Sequence, residues 1–427
     1  MRSLSRRRFL SASGAILTLP AITYRNAFAE TPPSEFVRIA AIGVGNQGTG
    51  NLKAFIKNAV AVCEVDKARL ATAAGIVEKD GKRTPVAAVA DYRKLLDRKD
   101  IDAVVITTPD HWHALQTIHA CQAGKDVYCE KPLSLVIEEG RAMVKAARDH
   151  KRIVQTGSQQ RSGKEFHKAC ELVRNGTIGA VKEVLVGLPG PNWIDRAKKP
   201  VPDSAPPEGL DYEFWLGPAP MRPYNEKRVH YLFRFFWDYS GGQQTNFGAH
   251  HLDIAQWGLG MDESGPVKIE GTATYNKDGW FETPESARIT YTYAGGIPVS
   301  CTLGAKGHPG GTTFIGEKGK VYVTRGKIEV TLNGEKVKDP YALETGSVKL
   351  YVSTNHHKNW LDCIKSRKLP VCDVEIGHRS ATVCHLGNIA LRTGRKIAWD
   401  PSKEVIVGDA EAAKMAGKPY REPWKLG

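Results

Sequence analysis

From Phe36 onward, apolar residues come in short unbroken runs, separated by stretches in which they recur every three or four positions. The runs at 36–42, 59–63, 86–89, 103–107, 127–129 and 153–156 predict strands, and the stretches at 52–56, 91–96, 110–123 and 137–150 predict helices. Strands that are apolar along their whole length must be covered on both faces, so residues 36–157 predict an α/β fold with a doubly wound parallel sheet. Beyond Gly157 the pattern changes. A helix is expected at 166–173 and a strand at 181–187, followed by a loop-like stretch over 188–242 that is rich in proline early and in aromatic residues later. Short runs at 267–275, 287–293, 299–303, 320–324 and 328–332 then alternate with turns such as Gly295-Gly296 and Asn333-Gly334, which signal hairpins. A Lys- and Pro-containing tail occupies 406–427.

The first strand runs straight into Gly43-Val44-Gly45-Asn46-Gln47-Gly48 and then a helix. In that order the glycines let the backbone approach a pyrophosphate, whose charge is met by free N–H groups at the helix start. A dinucleotide is therefore the expected cofactor, held by Gly43, Gly45, Asn46, Gln47 and Gly48. Glu64 ends the next strand, where a carboxylate accepts hydrogen bonds from an adenosine ribose and repels a 2′-phosphate, which favours NAD over NADP. Asp66 competes for that role, and Lys67 and Arg69 nearby keep NADP open.

Thr108-Pro109-Asp110-His111-Trp112-His113 follows the fourth strand. Two histidines so close invite a metal, but no third ligand lies nearby and no metal site is expected; Asp110 reads as the cap of the next helix and His113 as packing near the cofactor. Val127-Tyr128-Cys129-Glu130-Lys131-Pro132-Leu133 looks like a strand leaving the sheet. An open α/β sheet binds ligands at that edge, so Lys131 would present an ammonium to a cleft. The rings of 188–242, among them Trp193, Tyr212, Trp215, Tyr231, Phe233 and Trp237, either stack on a sugar or pack the loop onto its own domain or a neighbouring subunit.

At 41% hydrophobic and 25% charged residues, the 427-residue chain has the composition of a soluble globular protein. Residues 1–29 read as a twin-arginine export signal, with Arg6-Arg7-Arg8-Phe9-Leu10 before an apolar stretch and Ala27-Phe28-Ala29 as the cleavage site. A periplasmic or otherwise exported location is therefore expected, with no membrane span once the signal is removed. That segment holds five arginines and no acid, so its removal lowers the formal charge from +14 to +9. The remaining cations are interspersed with acids, and no nucleic-acid partner is expected. The eight cysteines show no CxxC pair, and Cys63 and Cys129 read as small core residues.

Gly43-x-Gly45-x-x-Gly48, Thr108-Pro109-x-x-x-His113, Gly124-Lys125-x-Val127-x-Cys129-Glu130-Lys131-Pro132 and Gln155-x-Gly157 together resemble the Gfo/Idh/MocA family, the group of glucose-fructose oxidoreductase and inositol dehydrogenase. The resemblance implies an NAD(P)-binding Rossmann domain over 36–157, bordered at the cofactor by Thr108, Pro109, His113 and Glu130. It also implies an α/β domain over 158–405, whose open, mostly antiparallel sheet serves substrate and homo-oligomer contacts. Helices near Asn359-Trp360-Leu361 and over 377–392 would cover that sheet. Lys131 is then the catalytic-site lysine, and the Lys131-Pro132 bond is expected to be cis. In sugar and inositol dehydrogenases of the family an Asp-x-x-x-His pair stands beside the lysine. Here His250 matches, but Asn246 replaces the aspartate, and an amide does not accept a proton at neutral pH. His251 and Asp253 stay open between supporting and structural roles.

The expectation is an exported NAD(P)-dependent oxidoreductase that transfers hydride between nicotinamide and a secondary alcohol of a sugar or cyclitol. His250 would be the general acid/base, while Lys131 holds the reacting oxygen or, if burial lowers its pKa, acts as the base. An exported enzyme would lose a dissociable cofactor, so tightly bound NAD is expected. Two alternatives remain: a redox-neutral NAD-dependent glycosidase and, from another class, a noncatalytic carbohydrate-binding protein.

Overall fold

The computed structural model describes residues 36–191, 200–275, 280–304 and 308–426, which fall in one compact unit; residues 1–29, expected to be an export signal, and Trp193 lie outside them. Six strands, β1 (Ile39–Ile42), β2 (Ala59–Cys63), β3 (Ala87–Val89), β4 (Ala103–Ile106), β5 (Asp126–Cys129) and β6 (Val154–Thr156), pair in parallel in the order β3-β2-β1-β4-β5-β6. Helices α1 (Asn46–Ala54), α2 (Lys67–Asp80), α3 (Arg93–Leu96), α4 (Asp110–Gln122) and α5 (Ile137–Asp149) connect them. Every residue of β1, β2, β4 and β5 is buried, which is why these strands carry no polar alternation. The strand order reverses between β1 and β4, and the crevice outside their C-terminal ends is where such a sheet takes its ligand.

After α6 (Lys164–Arg174) comes a second sheet. Its strands are β7 (Val181–Leu188), β8 (Lys268–Thr274), β9 (Ser286–Thr292), β10 (Pro298–Leu303), β11 (Gly311–Gly316), β12 (Gly319–Thr324), β13 (Lys327–Leu332), β14 (Glu335–Lys336), β15 (Ile397–Asp400) and β16 (Val405–Val407). They lie in the order β14-β13-β12-β11-β7-β10-β9-β8-β15-β16. Only β7 with β10 pairs in parallel, so the sheet is mixed and mostly antiparallel. Asn333-Gly334 closes β13 onto β14, and Gly295-Gly296 sits between β9 and β10, as their sequence predicts.

Between β7 and β8 lie α7 (Tyr212–Leu216), α8 (Gly242–Asn246) and α9 (Gly248–Leu259), while α10 (His356–Ser366) and α11 (Val374–Thr393) precede β15. Leu252 and Trp257 of α9 and Val383, Leu386 and Ile389 of α11 pack with Val184, Ile289 and Phe314 of the large sheet. At its other face α11 meets the N-terminal core, where Val374 and Ala381 join Met143 and Ala147 of α5. The helix around Trp360 does not cover the large sheet. Trp360, Cys363 and Ile364 of α10 pack with Val37, Ile39 and Tyr128 of the parallel sheet, because the Trp360 ring fits against Phe55 at 5.3 Å and Tyr128 at 5.7 Å.

The aromatic stretch resolves mainly into packing. Tyr212, Trp215, Tyr224, Phe233, Phe235, Phe236 and Tyr239 form a core of their own with Phe281. The C-terminal tail also folds back. Tyr420 donates to Glu139 Oε1 at 2.7 Å, and the Trp424 ring meets Trp112 edge-on at 4.8 Å. All eight cysteines are buried and free. No helix among the described residues is long and apolar enough to cross a membrane.

Candidate active site

A cleft of about 450 Å³ opens at the point where the parallel sheet reverses its order. Gly43 turns the chain out of β1 with φ 78°, and a Cβ there would lie 2.7 Å from the Thr108 amide nitrogen. A Cβ on Gly48 would lie 2.0 Å from the Gly43 carbonyl oxygen, so α1 starts hard against the turn. Gly45 is the N-cap of α1 and no side chain caps that end. The first-turn amides of Asn46 and Gln47, which line the cleft, are thus left for an anion, with the positive end of the helix behind them. This cradle fits the pyrophosphate of a dinucleotide.

The two acids named from the sequence separate. Glu64 lines the cleft; its Oε2 accepts from Val44 N at 3.1 Å and its Oε1 from Val65 N at 2.8 Å. Burial raises the Glu64 carboxyl, and those amides oppose the shift. Asp66 instead caps α2, its Oδ1 accepting from Ala68 N at 3.0 Å and Arg69 N at 3.1 Å, and it is not among the residues that line the cleft. Arg69 does reach the cleft.

Asp110, expected to cap α4, does not do so. Pro109 holds the N-cap position of α4, and the buried Asp110 carboxylate accepts the Ser240 hydroxyl. Thr108 and Pro109 line the cleft. His113 also borders it, with Nδ1 2.8 Å from Pro132 O and Nε2 2.9 Å from Thr108 O. Two carbonyl oxygens can both be satisfied only by an imidazolium, which donates from both nitrogens. Burial pulls that charge down, but Cys129, Asp110 and the Pro132 carbonyl outweigh it and raise the group to about 10. No cluster of three His, Cys, Asp or Glu side chains placed to hold a metal occurs among the described residues.

Glu130 reaches the cleft but is held by its own protein. Oε1 accepts from Gln47 at 3.2 Å and Asn51 at 3.0 Å, and Oε2 accepts from Lys131 N at 3.2 Å. It ties the start of α1 to the end of β5. The Lys131-Pro132 peptide is cis. Lys131 Nζ donates to Asn246 Oδ1 at 2.8 Å and to Asn246 O at 3.0 Å. Burial lowers its pKa to about 8, a shift that Glu130 opposes and that Arg234 and Arg325 reinforce.

α8 and α9 meet at Phe247, so Asn246 and His250 keep their helical spacing across the junction, and both line the cleft. His250 is 7% exposed, and its Nδ1 has no hydrogen-bond partner among the described residues. Burial, Lys131 and Arg325 push its pKa well below the ordinary value, so it is neutral. His251 lies outside the cleft lining, while Asp253 forms a buried ion pair with Arg161 and accepts Ser380, which anchors α9. Sequence reasoning did not reach Arg234, Arg325 or Gln159, which also border the cleft. Arg325 is a hairpin-turn residue with no local mark of function.

The aromatic segment straps the N-terminal domain beside this cleft. Lys67 N donates to Gly209 O and Asp211 N to Val65 O, both at 3.0 Å, and Trp112 Nε1 donates to Trp215 O at 2.9 Å. Phe214, Trp215, Tyr231 and Phe233 of the strap form part of the cleft wall.

Residues 37–158 match the family described as "Oxidoreductase family, NAD-binding Rossmann fold", and residues 163–426 match its "C-terminal alpha/beta domain". The chain belongs to the Gfo/Idh/MocA oxidoreductase family, and its N-terminal domain is an NAD-binding Rossmann domain. A glycosyl hydrolase family 109 protein of Shewanella putrefaciens and an alpha-N-acetylgalactosaminidase of Shewanella oneidensis are each 29% identical over 204 residues. That match spans 42% of this chain and 44% of either relative, less than half of their length. The fold is similar to the WlbA dehydrogenase of Bordetella pertussis, solved with NADH and UDP-GlcNAcA (TM-score 0.64, 19% identity, 85% of this chain and 99% of that one). It is also similar to levoglucosan dehydrogenase solved with NADH and levoglucosan (TM-score 0.62, 18% identity, 87% and 100%).

Proposed function

We propose that this family member is an exported sugar or cyclitol oxidoreductase that works on an NAD it does not release. The observation that carries the reading is Lys131, an amine lowered to about 8 and aimed by Asn246 at the cleft of an NAD-binding domain. Bound NAD would accept or return the hydride. The chain's own part is the proton. With a pKa near 8, roughly a tenth of Lys131 is neutral at pH 7, enough to take the proton of a substrate hydroxyl and leave a cation beside the oxygen. His250, expected from the sequence as the acid/base, is held neutral and far below its usual pKa, which makes it the weaker base. As a neutral imidazole at the cleft wall, it suits hydrogen bonding to a substrate hydroxyl instead. Glu64 would take the adenosine ribose and disfavour a 2′-phosphate. The strap over β2, α2 and α4 supports retention of the cofactor, the Arg6-Arg7-Arg8 stretch supports export, and the open large sheet supports a homo-oligomer. Bound nicotinamide in the purified protein, reduced on mixing with a sugar or polyol, is the expected result; protein free of nicotinamide would contradict it.

A second reading, a redox-neutral glycosidase, is supported by the names of the curated relatives and by Asn246 in place of the aspartate. Release of aglycone from aryl glycosides without added NAD distinguishes it.

A further inference from the structure

The cleft carries more positive charge than a neutral sugar would use. Besides Lys131, it is lined by Arg234 from the aromatic strap and Arg325 from the turn between β12 and β13. Arg234 donates to Tyr231 O at 2.9 Å, with its guanidinium 4.7 Å from the Tyr231 ring and 4.6 Å from that of Phe233. Arg325 lies 6.0 Å from the Phe247 ring. Neither forms an ion pair among the described residues. Glu64 accepts backbone amides and Glu130 accepts Gln47 and Asn51, while the buried Asp110 accepts Ser240 and acts electrostatically on Arg234 and Lys131 without an ion-pair contact to either.

These two arginines belong to the lysine side of the cleft. Both act electrostatically on Lys131, and Arg325 acts on His250. Arg69, by contrast, stands at the glycine turn, where a Cβ on Gly45 would lie 2.6 Å from its Nη1. Arg234 is half-buried with its guanidinium against two aromatic rings, Arg325 is exposed at its turn, and the fork of N–H donors on each pairs anionic oxygens two at a time.

We infer that the substrate is an acidic sugar or cyclitol derivative, whose carboxylate or phosphate is taken by Arg234 and Arg325 while its reacting hydroxyl lies at Lys131 and His250. This rests on the oxidoreductase reading. The test is calorimetric titration of the purified protein, with its resident cofactor, by glucuronate, glucose 6-phosphate and glucose. At low salt at least one anion is expected to bind about tenfold or more tighter than glucose, with the gap narrowing at high salt. Arg234→Gln/Arg325→Gln is expected to erase that preference, and the better anion tells carboxylate from phosphate. Glucose binding as tightly as both anions, none of the three binding, or a preference that survives in the double variant would overturn the inference. Glucose reducing the resident nicotinamide of the wild type as fast as either anion does would sink the acidic substrate and leave the oxidoreductase standing. Arginine-dependent anion binding in protein that holds no nicotinamide would do the reverse.

Discussion

Lys131 places its ammonium on two oxygens of one residue, the Oδ1 and the main-chain carbonyl of Asn246, at 2.8 and 3.0 Å. The amide cannot turn freely, because Asn246 Nδ2 donates to Gln243 Oε1 at 2.8 Å and Gln243 Nε2 donates to Gly190 O at 2.9 Å. The lysine therefore faces fixed dipoles rather than a contacting carboxylate, and burial prevails.

Asn246→Asp would set a negative charge against the ammonium and favour its protonated form. The pH at which substrate oxidation is half-maximal, expected near 8 in the wild type, should rise by about one unit or more. A pH–rate profile that does not move would show that Lys131 is not the titrating base.

His113 gains a proton on folding, since its pKa rises to about 10 from an ordinary value of 6.5. The stability it contributes is complete below pH 6.5 and is lost as the pH climbs through about 10. Replacing it with Gln should flatten the fall in denaturation midpoint over that window. An equally steep fall in the variant would assign the alkaline loss to other groups.

Asp253 and Arg161 are buried together, with side chains 0% and 1% exposed. Asp253→Ala would strand part of the charge on Arg161, which Asp262 also pairs at 2.7 Å. Breaking such a pair costs about 3–5 kcal/mol, to be read from chemical denaturation. A loss below about 1 kcal/mol would mean that Asp262 suffices alone.

Gly217, at φ 50°, sits where a Cβ would lie 2.0 Å from the Trp112 ring. Gly217→Ala should push the strap off α4 and speed loss of nicotinamide during gel filtration several-fold. Unchanged retention in a folded variant would separate the strap from cofactor holding.

What could be read in the sequence was local. Buried parallel strands announce themselves as apolar runs, the glycine turn follows one of them directly, and Lys131 ends another, so the N-terminal fold and the position of the lysine were both legible. Choices between surfaces were not. An amphipathic face on α10 does not say which sheet it covers, and only the ring contacts with Phe55 and Tyr128 decide it. Glu64 and Asp66 are two residues apart at a strand-to-helix junction, where one position faces the cleft and the other caps α2. Arg325 reaches the site only because β12 and β13 carry their turn there. The lowered pKa values of Lys131 and His250 depend on burial that residue type alone does not reveal.

The most direct test of the proposed chemistry is single-turnover reduction of the resident nicotinamide by a sugar or polyol substrate, in wild-type protein and in Lys131→Met at matched cofactor content. The variant is expected to be slower by roughly 10²–10⁴-fold and to lose the rise in rate through about pH 8. A Lys131→Met protein that reduces its nicotinamide as fast as the wild type would contradict the role given to Lys131.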